Sequence, residues 1–320
     1  LMNRDGLLKR MRSLLGEPLP LPGSGETPRR HRMLMDIGRE DLSLARLAEA
    51  HFDAVATLAE AGRQPLAGAI YAVWAAEIPG QGMTSEHMGE KIVLRGEKMF
   101  CSGAGLVDRA LITVPLPDHR LVDVDLRAAA SRLRVDDSAW KTSAFAEMQT
   151  PKIIFDGAVC AAADIVGTAN WYLERPGFWH GACGPAACWA GGAQGIIDYA
   201  TQQKRADPHT VAHLGAMHAS MWAMNSALKF AGEEIDENPS DVLLARLRAR
   251  TVRHLVESLS TDILRRLARA YGPHPLAIDE GISKRYLELD LYLRQSHAER
   301  DLEALGRDVQ ASCEAASKAL

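Results

Sequence analysis

The sequence predicts an α+β protein in three consecutive parts: an N-terminal helical region over 1–68, a central antiparallel β-barrel or sheet domain over 69–165, and a C-terminal four-helix bundle over 166–320. Three observations lead there. Apolar residues recur at helical spacing near both ends of the chain. Short β-like runs crowd the middle with no helical pattern between them. Clusters of Gly, Pro, Asp and Ser divide these runs from one another.

In the first part, Leu42, Leu44 and Leu47 continue to Phe52, Val55 and Leu58 at helical spacing, and Gly62 and Pro65 end the pattern. Before it, Pro18, Pro20, Pro22, Gly23 and Gly25 read as a loop. In the second part the β-like runs are 70–74, 91–102, 110–114, 121–126 and 152–155. Lys91, Val93 and Arg95 alternate with Ile92 and Leu94, as a half-buried strand requires. The third part reads as four helices, over 178–203, 209–232, 240–270 and 281–317. Ser240 is the expected N-cap of the third. Leu243, Leu247, Val252, Leu255, Leu259, Ile263 and Leu267 form its expected apolar stripe. Four long helices with short connections suggest an antiparallel bundle.

Composition narrows the function classes. The chain has 320 residues, 47% of them hydrophobic and 24% charged, which suits a soluble protein of two or three packed units. The net charge of -4, with acids and bases mixed and no basic stripe, argues against a nucleic-acid partner. The five cysteines form no CxxC, so a reducing, cytoplasmic setting is expected. The N-terminus has no basic-then-apolar signal pattern. Residues 176–197 carry no Asp, Glu, Lys or Arg, but they contain six glycines and two prolines. A buried, all-round apolar helix is expected there rather than a membrane span. Its glycines mark a close approach by another helix or a ligand. Gly103-Ala104-Gly105 lacks the third glycine of a dinucleotide fingerprint. His209, His213 and His218 lack the carboxylate or cysteine company of a zinc site, so no metal is expected.

Two segments carry chemistry. The first is Trp74-Ala75-Ala76-Glu77-Ile78-Pro79-Gly80. The second is Gly96-Glu97-Lys98-Met99-Phe100-Cys101-Ser102-Gly103-Ala104. Together with the order of the three parts, they resemble the acyl-CoA dehydrogenase family, whose corresponding motifs read TEPGAGSD and G-x-K-x-W/F-I-T/S-N-A. The resemblance covers nearly the whole chain. It implies an FAD cofactor and an oxidoreductase that abstracts an α-proton and passes a hydride to flavin N5. It also implies a small-molecule substrate, an acyl-CoA thioester by analogy, and a homodimer or homotetramer with the cofactor near a subunit interface.

The resemblance also assigns residues. Phe100 offers a flat apolar face for the flavin ring. Ser102, two residues along a strand and so on the same face, reaches N5. Trp74, Ala75, Ala76 and Cys101 complete the cofactor contacts, and Arg205 is the candidate for the diphosphate of a neighbouring subunit's FAD. Asp290 aligns with the Arg-Asp pair that precedes the family's catalytic helix, which puts the family's glutamate position on Ala298, flanked by His297 and Glu299. Glu299 is the expected base. Flavin monooxygenases of the same architecture place a histidine at this point, so His297 defines an alternative monooxygenase or oxidase reading. A third reading is a non-catalytic protein that keeps the fold for binding. The helical front is shorter than the family's, and Gly272-Pro273-His274-Pro275-Leu276 replaces the family's Gly-Gly-x-Gly turn.

Overall fold

The computed structural model describes residues 2–77, 82–114 and 119–318, with side chains through 311. Three helices open the chain: α1 (Arg4–Leu14), α2 (Thr27–Glu40) and α3 (Leu42–Glu60). Eight strands follow: β1 (Tyr71–Trp74), β2 (Met83–Met88), β3 (Lys91–Lys98), β4 (Arg109–Val114), β5 (Arg120–Asp125), β6 (Leu133–Asp136), β7 (Lys152–Ala161) and β8 (Ile165–Val166). The rest is helical: α4 (Trp171–Glu174), α5 (Pro176–Gly181), α6 (Cys183–Gln202), α7 (Pro208–Glu237), α8 (Val242–Tyr271), α9 (His274–Ile278), α10 (Glu280–Leu293) and α11 (Glu299–Lys318). The chain packs as two compact units, Leu19–Ala45 with Trp179–Leu320, and Met2–Pro18 with Arg46–Phe178. The three-part reading divides the chain by secondary-structure type, whereas these units divide it by contact.

The first unit is helical, and α2 is seated against α6. Both surfaces are stripped to glycine where they meet. A Cβ at Gly38 would lie 2.4 Å from the Cys188 carbonyl oxygen, and one at Gly191 would lie 2.0 Å from the Met35 carbonyl oxygen. The charge-free glycine-rich segment is therefore a buried helix whose small residues admit a neighbouring backbone. A similar approach joins α2 to α7, where a Cβ at Gly232 would sit 2.7 Å from the Pro28 nitrogen. The ends of α2 are closed by side chains of other helices. Asp236 of α7 accepts from the Thr27 amide at 2.9 Å, and Arg285 of α10 donates to the carbonyls of Gly38, Arg39 and Glu40. An acid at the N-terminus and a guanidinium at the C-terminus both complement the helix dipole.

Two details of the third part differ from the sequence expectation. The cap of α8 is Asp241, which accepts from the Leu244 amide at 2.9 Å, one residue beyond Ser240. Its buried face includes Val252, Ile263 and Leu267 of the expected stripe, together with Ala245, Ala249, Val256 and Ser260, while Leu243 is exposed. Small residues here let α6 approach α8, while Leu247, Leu255 and Leu259 are only half-buried. The fourth expected helix, 281–317, is broken into α10 and α11 by a turn over 294–298, with Ala298 at φ 47.

The second unit holds the strands in two four-stranded sheets, ordered β1-β4-β5-β8 and β2-β3-β7-β6. No closed barrel forms among the described residues, and β1 pairs with β4 in parallel. The strands β2 and β6 were not expected, because they are mostly exposed and carry no apolar alternation. The helix α3 is tied to the first sheet by His51, whose Nδ1 accepts from the Tyr71 amide at 3.1 Å. Arg175 reaches back to Glu60 and Thr57 at the end of α3. The helix α1 is strapped on by Arg4, which donates to the Gly105 carbonyl, and by Arg12, which pairs with Asp108 at 3.0 Å.

Two predictions follow from this packing. Gly191→Ala should lower stability by about 3 kcal/mol or more, because the new methyl meets a backbone oxygen that no rotamer change can move; a fall in the urea midpoint checks this. The second concerns acid. Burial pushes His31 and His51 down from 6.5 to about 4. The unfolded chain therefore binds more protons than the native one between pH 6.5 and 4. Stability is complete above that window and lost as pH falls through it, by roughly 3 kcal/mol per histidine. NMR titration should find both imidazoles neutral at pH 5.

Candidate active site

The strand β3 ends at Lys98, and the chain then turns out of the sheet. Phe100 adopts φ 57, in the left-handed region that a bulky residue rarely occupies. The Ser102 amide donates to the Phe100 carbonyl at 2.8 Å, closing the turn. The amides of Cys101 and Gly103 donate to the carbonyls of Pro151 and Gln149 at 3.0 and 2.9 Å. The Cys101 thiol is fully buried, donates to the Lys98 carbonyl at 3.2 Å, and is pushed up to about 12 by burial. It is an anchor and not a nucleophile. Gly103 has φ 76, and a Cβ there would meet Leu47 at 2.8 Å.

This geometry corrects the strand argument. Phe100 and Ser102 do not alternate on one strand face, because the left-handed turn intervenes. The turn instead holds the Phe100 ring 48% exposed, with Ser102 half-buried beside it. An aromatic ring held outward by a pinned backbone is what a stacking ligand requires.

The strand β1 meets this turn. Trp74 is buried, and its indole N–H donates to the Ser102 carbonyl at 3.1 Å. Because β1 is an edge strand, its amides point alternately to β4 and away. The Tyr71 amide points away, to His51, so by alternation the Val73 amide also points outward, and Ala75 lies just past the strand end. Ala76 follows as the first residues of a loop begin. Ile78, Pro79 and Gly80 of the first motif lie outside the described residues.

The structure adds one residue that the sequence reading did not single out. Lys98 is buried, and its ammonium donates to the Thr113 carbonyl at 3.1 Å and hydroxyl at 2.8 Å. The Thr113 hydroxyl lies 3.5 Å from the Ala75 carbonyl. Lys98 thus bolts together the ends of β3, β4 and β1 beneath the Phe100 turn. Burial lowers its pKa, opposed by the charge of Glu77. The signal lay in the motif itself, since a lysine two residues before an aromatic at a strand end has few places to go but inward.

The other candidates belong to the helical unit. Arg205 is exposed and pairs with Asp207 at 2.7 Å. Asp207 caps α7, and the hydrogen bond from Arg205 holds its carboxyl well below the usual range. His297 stands exposed on the turn between α10 and α11. Its ring Nδ1 lies 3.4 Å from an Asp301 oxygen, and its amide donates to the same carboxylate at 3.0 Å. Glu299 is the exposed first residue of α11, and no described side chain orients it. His180 is buried, with Nε2 at 2.9 Å from the Pro239 carbonyl, so it serves packing. Among the described residues no group of three metal-type ligands forms, and no helix is long and apolar enough to cross a membrane.

Solved structures share this architecture. The chain aligns with butyryl-CoA dehydrogenase from Megasphaera elsdenii at TM-score 0.77 and 12% identity, over 94% of this chain and 90% of that one. It has the acyl-CoA dehydrogenase fold. FMN-bound TdsC from Paenibacillus sp. A11-2, a dibenzothiophene monooxygenase, aligns at TM-score 0.79 and 15% identity, over 95% and 88% of the two chains. KijD3 in complex with FMN and a dTDP-amino-keto sugar aligns at TM-score 0.80 and 14% identity, over 97% and 86%. No protein-family model matches the sequence, and no curated protein matches it. At these identities the acyl-CoA dehydrogenase fold is what the likeness carries; the chemistry rests on the residues of this chain.

Proposed function

We propose that the protein is a flavin-dependent oxidoreductase in which His297 transfers a proton. The observation that carries the flavin reading is the Phe100 turn, an outward aromatic ring fixed in a strained backbone beside a half-buried hydroxyl and an edge strand's free amide. The residues fit the ring system. Phe100 would lie against its face, the Ser102 hydroxyl would meet N5, and the Ala75 amide, with Ala76 beside it, would serve the pyrimidine oxygens. Trp74, Cys101 and Lys98 hold these groups in place from below. When bound, a flavin supplies two-electron redox chemistry at N5.

FMN is favoured over FAD. TdsC and KijD3 carry FMN in structures of this fold. Arg205, the candidate for an FAD diphosphate, is already engaged by Asp207 in its own chain. Of the two proton-transfer candidates, His297 is the better equipped. Asp301 faces its Nδ1, and more than half of the side chain is open to solvent. This arrangement favours a monooxygenase or oxidase. A dehydrogenase acting on an acyl-CoA would instead rely on Glu299, and a non-catalytic protein would need neither residue.

The visible spectrum of the purified protein, followed by extraction of its cofactor, tests the proposal. A flavin spectrum is expected, with FMN released on denaturation, and Phe100→Ala should weaken flavin binding by at least about tenfold. Reduced flavin with oxygen should turn over a substrate in the wild type, and His297→Ala should slow that step by about 100-fold or more while Glu299→Gln retains it. Anaerobic bleaching by an acyl-CoA that is lost in Glu299→Gln would instead establish the dehydrogenase. A protein that stays colourless with added FMN or FAD would leave only the binding role.

A homo-oligomer belongs to the same proposal. The helix α7 carries no Asp, Glu, Lys or Arg from Pro208 to Leu228, yet Val211, Trp222 and Phe230 are exposed along it. A face of this kind on a soluble protein marks an interface. Light scattering should find a dimer or tetramer for the wild type and a smaller species for Trp222→Glu.

A further inference from the structure

The second unit encloses a cavity of about 400 Å³ to which none of the foregoing assigns a role. Phe100, Ser102, Ala75 and Ala76 do not line it, so it meets the proposed flavin seat only at Trp74, whose indole holds the Ser102 carbonyl. Its body is apolar. Trp74 forms one wall, and Leu133, Val135 and Ile153 line the cavity with it. Val135 is 51% exposed, an apolar side chain left open to water. A volume of this size lies within the range of small-molecule sites.

The polar part of the lining is charged, and unequally so. Asp108 faces two guanidinium groups, Arg12 at 3.0 Å and Arg127 at 2.5 Å, and also accepts from the Ile70 amide at 2.8 Å. Its two oxygens are thus committed. Arg12 spends a second donor on the Gly68 carbonyl. Arg127 has its NH2 on Asp108, and among the described residues its Nε and NH1 meet no acceptor. Two cations against one carboxylate leave one positive charge in excess, carried on an unused fork of Arg127.

We infer that this cavity binds a small monoanion with a compact apolar body, an aryl-substituted carboxylate in chemical class. The apolar part would lie against Trp74, and the carboxylate would take the open Arg127 fork in the bidentate geometry that guanidinium favours. A dianion such as a phosphate monoester would exceed the single surplus charge. A neutral ligand would leave that charge unanswered.

The test uses the full chain, with its flavin bound if it carries one, and two probes of nearly equal size: 4-phenylbutyrate and 4-phenylbutan-1-ol. Calorimetry measures affinity, and cofactor absorbance reports any displacement of flavin. The carboxylate should bind saturably and at least about tenfold more tightly than the alcohol at low salt, the difference shrinking as ionic strength rises. Arg127→Met, which keeps the aliphatic stem of an exposed side chain, should erase the difference between the probes. Val135→Trp, which fills the cavity from an exposed position, should weaken both probes. The proposal is overturned if neither probe saturates by ~10 mM. It is also overturned if the probes bind equally, if Arg127→Met leaves the preference intact, if Val135→Trp leaves both affinities unchanged, or if the carboxylate displaces flavin. Because displacement is read separately, failure here leaves the flavin reading untouched.

Discussion

The helical unit depends on backbone meeting backbone where α2 lies on α6. Helices ordinarily keep 8–10 Å between their axes because side chains intervene. Gly38 and Gly191 remove those side chains at the contact, and their absent Cβ atoms would collide with the carbonyls of Cys188 and Met35. Glycine in a helix costs roughly 1 kcal/mol against alanine, so a helix carrying Gly191, Gly192 and Gly195 is intrinsically weak. It holds because α2, α7, α8 and α10 pack around α6 and bury 13 of its 20 residues, and because Asp236 and Arg285 settle the two ends of α2 that the contact leaves without partners. Without the seat, these capping interactions would have nothing to cap.

The β unit answers a different constraint, which is to present one aromatic ring outward without letting it collapse inward. A phenylalanine at the end of a strand would bury itself if the backbone allowed. The left-handed turn at Phe100 forbids this, and the backbone pays for the strain through the bonds around it: the amides of Cys101 and Gly103, the Cys101 thiol, and the Trp74 indole. Lys98 below provides the rigidity. A buried ammonium is tolerated only where its hydrogen bonds are met, and here the carbonyl and the hydroxyl of Thr113 meet them. Strain kept at one position and supported from several sides is the pattern expected of a binding surface.

Much of this was legible in the sequence, and what was not has identifiable physical causes. The helix at 42–60 and the strands near 71, 91, 109, 120 and 152 were readable because burial of one face imposes periodicity. The glycines of α6 announced close approach, though not which neighbour would approach. Strands β2 and β6 were silent because they bury almost nothing. The parallel pairing of β1 with β4 was hidden because it joins segments 38 residues apart, and sequence pattern carries no register. Phe100 and Ser102 were expected on one strand face, and nothing in a nine-residue run signals that a phenylalanine will take φ 57. The stripe on α8 was partly legible: Val252, Ile263 and Leu267 are buried, but periodicity in large apolar residues missed Ala245, Ala249 and Ser260 on the same face.

The break at 294–298 was likewise invisible, and it bears on function. The segment from Glu280 to Lys318 has helical spacing throughout, and an unbroken helix would keep every backbone bond. Instead the chain turns, places Ala298 at φ 47, and repairs the ends piecemeal. Arg253 donates to the Gln295 carbonyl at 2.7 Å, and Asp301 accepts from the His297 amide. No apolar residue is buried by the turn itself, since His297, Ala298 and Glu299 are all exposed. The break does redirect the chain, because α11 then runs along α8, where Arg246 and Arg250 pair with Asp308. The turn also carries His297 away from a helix side and sets its ring against the Asp301 carboxylate in the first turn of α11. A histidine on an uninterrupted helix would share its face with residues three and four positions away. On the turn its Nδ1 faces Asp301 while more than half of the side chain stays exposed, and the proposed proton role rests on that arrangement.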